Sequence, residues 1–280
     1  MTKFYTNVSR YANSLLYRGY ENGKRVSKRV KFKPTFYVAT NQPTDWTNLD
    51  GTPCAPVAMD SMRDAKEWLA MNKDTSGRKI FGSDKHVPCF INEQFPGKIE
   101  FDRNLINVTT IDIEVQSDEG FPTPDEAAYP VTAICTKNNI DDIYYVWGLK
   151  DYDVEKSYMQ DFEVVYKQFD SEAKLLMDFV DFWFSSSHCP DVVTGWNVRF
   201  FDIPYLVNRT FKVLGEDMVK KYSPWGMVDR RDVTIMGRSQ TSYELSGIAI
   251  IDYLELFKKF GYSYGPQESY RLDHIANVVL

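Results

Sequence analysis

The sequence predicts a mixed α/β fold in two parts: a small α+β unit over residues 1–106 and a larger one over 107–280. Two observations predict this. Short apolar–polar alternations bounded by turn residues recur along the whole chain, as half-buried strands require. In the second part, strand-like runs alternate with stretches whose apolar residues recur at three- and four-residue steps. At 280 residues the chain is long enough for two units that each bury a core, and it shows no repeats or low-complexity linkers.

In the first unit, Leu15 to Tyr20 and Val26 to Phe32 flank Glu21-Asn22-Gly23-Lys24. Asn-Gly tolerates positive φ at both positions, so a β-hairpin is predicted over 14–32. Phe36-Tyr37-Val38 reads as a further strand, and 41–56 as a loop rich in Asn, Pro, Thr and Asp. Met62, Ala65, Lys66 and Leu69, with Trp68 beside them, predict a helix over 60–71 capped by Asp60 or Ser61. Pro88 to Ile91 and Lys98 to Phe101 read as short strands.

The second unit opens on Val108 to Val115. Val131 to Thr136 and Ile143 to Trp147 follow as strands, and the polar turn between them favours antiparallel pairing. Leu175, Leu176, Phe179, Val180 and Trp183 mark one face of a helix that Asp170 is placed to cap. Asp191 to Asn197 is a strand ending in a loop. Asp202-Ile203-Pro204 opens a helix with Leu206, Val207 and Phe211 inward. Arg231 to Ile235 and Ser242 to Leu245 pair as a hairpin around Met236 to Gln240. Ile248 to Asp252 reads as a buried strand, followed by a helix to Phe260 and a last helix from near Leu272.

Composition removes several function classes. With 43% hydrophobic and 26% charged residues the chain is globular, and no window approaches the roughly 20 apolar residues of a membrane span. The N-terminus lacks an apolar signal core, so a cytoplasmic protein is expected. Cys54, Cys89, Cys135 and Cys189 lie far apart without a C-x-x-C pair, which argues against structural zinc and a disulfide framework. The histidines, His86, His188 and His274, are too scattered for a histidine metal site or a Ser-His-Asp signature. Net charge is −6, yet Lys24 to Lys33 carries six cations and no acid, a candidate nucleic-acid surface.

The chemistry gathers on Thr110-Ile111-Asp112-Ile113-Glu114-Val115. Read with period two, Ile111, Ile113 and Val115 face a core, while Asp112 and Glu114 share the other face roughly 7 Å apart. Two carboxylates on one central strand are costly unless a cation or water neutralises them, so this is a candidate divalent-metal site. A third acid, Asp202, follows Gly195 to Phe201 at a strand–loop–helix turn, where it is placed to cap the helix, bind metal, or both. Strand, strand, strand, helix, strand, helix, strand, helix is the element order of a ribonuclease-H-like domain.

Those residues carry a resemblance. Ile111 to Val115 with Asp118-Glu119-Gly120-Phe121-Pro122 resembles the Exo I motif of family B replicative DNA polymerases of the T-even bacteriophage type, and Thr194-Gly195-Trp196-Asn197 through Phe201-Asp202-Ile203-Pro204-Tyr205 resembles Exo II. Further similarity runs through Met62 to Ala65, Asp252 to Phe260 and Leu272-Asp273, so it spans essentially the whole chain. The resemblance implies a 3′→5′ proofreading exonuclease domain, preceded by the polymerase's N-terminal domain. It implies that Asp112, Glu114 and Asp202 hold two Mg²⁺ or Mn²⁺ ions for phosphodiester hydrolysis. It also implies that Phe121, Asn197 and Phe201 contact the terminal nucleotide of single-stranded or primer–template DNA.

One part of the pattern is absent. The family's Exo III, a Tyr followed four residues later by the last catalytic Asp, finds no match. Tyr270-Arg271-Leu272-Asp273 has the wrong spacing, and Asp252 and Asp273 are expected to be structural or capping residues. The exonuclease domain is therefore expected to be truncated at its C-terminal end and completed by the C-terminal polymerase portion, in the same gene product or as a separate chain. The alternative is a single-stranded-DNA-binding module without hydrolysis.

Overall fold

The computed structural model describes residues 3–72, 77, 79–117, 120–157, 161–235 and 238–280. The chain divides into two compact units, Met1–Phe101 and Asp102–Leu280, against a boundary read from the sequence at 106/107.

In the first unit, β1 (Lys3–Tyr11), β2 (Ser14–Glu21) and β3 (Lys24–Val30) form an antiparallel sheet in that order. Glu21 pairs with Lys24 across a two-residue turn in which Asn22 and Gly23 take φ of 53° and 76°. That is the turn the Asn-Gly pair predicts. Strand β1, polar enough to escape the alternation test, is held by its ladder to β2. A second sheet pairs β4 (Thr35–Ala39) with β5 (Cys54–Ala58) and β6 (Ile80–Phe81). Helix α1 (Met62–Asn72) begins where expected, and the Ser61 hydroxyl accepts the Asp64 amide at 3.2 Å.

Two expectations fail here. Pro88 to Ile91 lies in helix α2 (His86–Gln94), which buries His86 and Phe90 one turn apart. Pro88 sits in the first turn, where its missing N–H costs nothing. Lys98 to Phe101 forms no strand.

The second unit is built on a six-stranded sheet. Its centre is β7 (Val108–Val115), with β8 (Val131–Asn138) antiparallel beside it and β9 (Tyr144–Gly148) antiparallel to β8. Strand β10 (Val164–Gln168), which the sequence reading does not predict, extends that edge parallel to β9. On the other side of β7, β11 (Val192–Gly195) and β14 (Ala249–Asp252) follow in parallel. With its first strand central, an antiparallel β7–β8–β9 meander extended by β10 to one side and two parallel strands to the other, the architecture is the ribonuclease-H-like one.

Helix α3 (Glu172–Phe184) and helix α4 (Asp202–Leu214) share the buried core with β7 and β8. All five apolar residues predicted for the α3 face are buried. Asp170 does not cap α3; Ser171 holds that position, and the Asp170 carboxylate accepts from Lys174 Nζ at 2.7 Å. Leu206 and Val207 are buried, but Phe211 is exposed, because a third inward step would rotate past the core-facing stripe of α4.

Helix α5 (Glu216–Lys220) precedes β12 (Val228–Ile235) and β13 (Arg238–Leu245), which form the expected hairpin. Met236 and Gly237 at its tip lie outside the described residues, and Arg238 to Gln240 belong to the strand. Strand β14 is at the sheet edge and half-buried rather than buried. Helices α6 (Tyr253–Phe260) and α7 (Leu272–Val279) follow. Among the described residues no helix is long and apolar enough to cross a membrane.

One ion pair ties these layers together. The Glu172 carboxylate accepts from Arg209 Nε and Nη2 at 2.8 and 2.7 Å and from the Val131 amide at 2.7 Å. Arg209 also donates to the carbonyls of Ala127 and Ala128. A bidentate, largely buried pair is costly to break from one side, because the survivor stays desolvated. Glu172→Ala is expected to destabilise the fold by about 2–4 kcal/mol in denaturant titration, and Lys174→Ala, from an exposed pair, by under about 0.5 kcal/mol.

Candidate active site

The alternation of β7 places Ile111 and Ile113 in the core and leaves Thr110, Asp112 and Glu114 on the open face. Strand β11 runs beside β7 only as far as the Thr194–Thr110 pair. There Gly195 passes so close that a Cβ would lie 2.6 Å from the Ile111 carbonyl oxygen. Only glycine fits that approach.

The chain then turns through Asn197, whose φ of 63° is left-handed, into α4. This turn is clamped by one buried carboxylate. Asp252 accepts the amides of Asn197 at 3.2 Å, Arg199 at 3.0 Å and Leu254 at 2.9 Å, so it caps α6 and fixes the β11–α4 loop at once. The expectation of a structural, capping Asp252 holds.

Asp202 is the first residue of α4, not its cap; Phe201 occupies that position. Its carboxylate turns back to the sheet and accepts the Ile113 amide at 3.1 Å. It is 3% exposed, and burial, reinforced by the Asp112 charge, pushes its pKa up to about 7. Partial loss of solvent also raises the Asp112 carboxyl. Both carboxyls thus pay for lost solvent, and the Asp112 charge adds to the cost at Asp202.

Glu114 shares the Asp112 face beside a bulge in the β7–β8 ladder, but it does not gather with the other two. Among the described residues no cluster of three or more His, Cys, Asp and Glu could hold a metal ion. A divalent ion in this cleft would find the oxygens of Asp112 and Asp202, and its remaining ligands would have to come from elsewhere. Cys135, across the ladder from Asp112, contributes no thiolate: burial, then the Asp112 charge, raises it to about 11.

Asp112 and Asp202 open onto a cleft of about 780 Å³. Phe121, Asn197 and Phe201 line it too, so the structure brings five of the six sequence-derived site residues to one cavity. Phe121 is 78% exposed and rests on Phe201, with ring centroids 5.3 Å apart. The loop carrying Phe121 is moored to α4: Asn208 Nδ2 donates to the Pro124 carbonyl at 2.9 Å, and the Tyr205 hydroxyl to that of Tyr129 at 2.8 Å. Asp118 and Glu119 of the Exo I resemblance lie outside the described residues.

Trp196, Tyr270, Arg271, Leu272 and Asp273 also line it, and sequence reasoning assigned none of them a role there. Trp196 Nε1 donates to the Tyr270 carbonyl at 3.1 Å, which brings the segment before α7 to the cleft. That bond joins residues 74 positions apart, and no local pattern reports it.

Residues 65–275 match the DNA polymerase family B exonuclease domain. The chain belongs to that family. It is also 31% identical over 297 aligned positions to the DNA-directed DNA polymerase of Enterobacteria phage T4, and 32% identical over 304 to that of Escherichia phage RB69. These alignments cover 99% and 100% of the chain, which spans about a third of the length of the curated relatives it matches. Within this family B exonuclease domain, the cleft described above is the cavity that joins the two acidic segments.

The raised Asp202 pKa has a definite sign. The folded state holds this proton from the ordinary aspartate range up to about pH 7, so its contribution to stability is present at low pH and lost as pH rises through 7. Asp202→Asn keeps an acceptor for the Ile113 amide without the charge. Without divalent metal, this variant is expected to melt higher than wild type at pH 8, by about 1–3 kcal/mol, with the gap narrowing toward pH 5. Mg²⁺ or Mn²⁺ is expected to stabilise the wild type at pH 8 and not the variant, in paired thermal melts.

Proposed function

We propose that this chain is the 3′→5′ exonuclease-bearing portion of a phage-type family B DNA polymerase, removing the 3′-terminal nucleotide of DNA in the cytoplasm of an infected cell. One observation carries the reading: a buried carboxylate, fixed by a backbone bond, faces a second carboxylate in a cleft that also presents two touching aromatic rings and a left-handed Asn.

In this reading Asp112 and Asp202 would hold Mg²⁺ or Mn²⁺, which would supply a hydroxide near neutral pH and stabilise the departing 3′-oxygen; Glu114, assigned to the site from the sequence, does not gather with them. Phe121, its ring mostly in solvent, offers a flat surface to the terminal base, and Phe201 backs it. Asn197, held on the Asp252 clamp, hydrogen-bonds the terminal nucleotide. Asp202 must lose its proton to act as a ligand, so metal loading is expected to strengthen as pH rises through about 7.

A third ligand and an activating tyrosine are then supplied by the polymerase portion, on the same polypeptide or a second chain. The lack of a three-acid cluster among the described residues also supports a second reading, a binding module that engages single-stranded DNA without cutting it.

Digestion of 5′-labelled single-stranded DNA with Mn²⁺ separates the two. The chain alone is expected to cut slowly, and adding a C-terminal polymerase portion to accelerate cutting. Asp112→Ala in the chain is expected to remove that gain by roughly a hundredfold or more. Rapid cutting by the isolated chain would refute the need for a partner. A partner that cuts equally well without the chain would leave the binding-module reading.

A further inference from the structure

The cleft meets its substrate with the wrong charge. Asp112, Asp202 and Asp273 line it, and a DNA strand brings one negative charge per nucleotide. Cations on the carboxylates would neutralise the phosphate being cut. The next phosphate along the strand still requires a positive partner. Among the described residues that line the cleft, Arg271 alone is cationic.

The placement of Arg271 suits that task. Its backbone is fixed: the preceding Tyr270 carbonyl accepts Trp196 Nε1 at 3.1 Å, and its own carbonyl accepts the Ile275 amide at 3.0 Å in the first turn of α7. Its side chain is 82% exposed, and Nε lies 3.5 Å from Asp273 Oδ1, whose side chain is 68% exposed. Such a long, solvated pair contributes almost nothing to folding. The guanidinium is thus carried on a rigid base, free of a structural task, at the rim of the acidic cleft. Its planar fork can take two phosphate oxygens at once.

We infer that Arg271 is a substrate-binding residue that holds a backbone phosphate of the single strand next to the terminal nucleotide. This inference rests on the exonuclease reading of the cleft. Arg271 contacts no reacting atom and reads no base; it fixes the register of the strand so that its end meets Asp112 and Asp202.

The test is the salt dependence of binding. Fluorescence anisotropy would follow a short 5′-fluorescein-labelled oligothymidylate binding to the whole chain in Ca²⁺, a hard cation that accepts carboxylate oxygens. Salt would be varied from about 50 to about 200 mM. Each phosphate contact on a single strand contributes about 0.7 to the slope of log K against log salt. Arg271→Gln is expected to lower the slope by about 0.7 and to weaken binding roughly three- to tenfold. Arg271→Lys is expected to keep the slope and recover part of the affinity, because it retains the charge without the fork. Arg103→Gln, which removes an exposed cation of the same unit outside the cleft, is expected to change neither.

Equal slopes for wild type and Arg271→Gln would overturn the assignment while leaving the exonuclease reading in place. So would an equal loss in Arg103→Gln, which would mark a bulk-charge effect. Failure of the wild-type chain to bind the strand at any salt concentration would overturn both.

Discussion

The hydrogen bond from the Ile113 amide to the Asp202 carboxylate is the constraint on which the second unit turns. It joins the central strand to the first residue of α4 across 89 positions of sequence. A buried carboxylate without such a donor costs several kcal/mol, so the bond fixes where α4 begins and how it meets the sheet. Everything that approaches the cleft from the α4 side inherits its position from this contact: Phe201 just before it, the loop moored by Tyr205 and Asn208, and through that loop Phe121. The same bond leaves Asp202 short of solvent and within the field of Asp112. One contact thus sets both the geometry and the electrostatic strain of the site.

Two further residues make that contact possible from the sheet side. Gly195 lets β11 pass the Ile111 carbonyl at a distance no side chain allows, and Asp252 collects the amides released where the strand stops. The left-handed Asn197 is stable between them because its amide has a buried acceptor. Backbone groups that leave a ladder must find partners or water. Here a single carboxylate meets that requirement for a strand end and a helix start together, and the β11–α4 loop becomes as fixed as the sheet it leaves.

The parts of this arrangement legible in the sequence were those governed by local periodicity. The apolar step of β7, the face of α3 and the Asn-Gly turn each follow from neighbours within a few residues. The convergence of Asp112 with Asp202 was legible too, through two long motifs rather than through either acid alone. What escaped was set by tertiary contact. Strand β1 is a largely polar segment and β10 a five-residue one without alternation, and each exists because a neighbouring strand completes it. The α2 segment carries a proline and a short apolar run that suit a strand equally well, until the burial of both His86 and Phe90 on one face selects the helix. Phe211 has the helical spacing of a core residue but lies beyond the arc that α4 buries. Tyr270 and Arg271 reach the cleft only through a bond from Trp196.

The charge pattern of the cleft links its two ligands. Without a cation, Asp112 and Asp202 oppose each other's ionisation and repel any phosphate that enters. On the proposed reading a divalent ion would relieve the first cost and cancel much of the second, so DNA would bind more tightly to the metal-loaded chain. By reciprocity the ion would then bind more tightly to the DNA-loaded chain, by the same factor. A site with few carboxylates of its own gains most from this coupling, because phosphate oxygens can complete the coordination that the protein leaves open. Weak metal binding by the free chain would therefore be compatible with a well-loaded site once the strand is in place, and the aromatic pair and Arg271 would act on metal affinity without touching the metal.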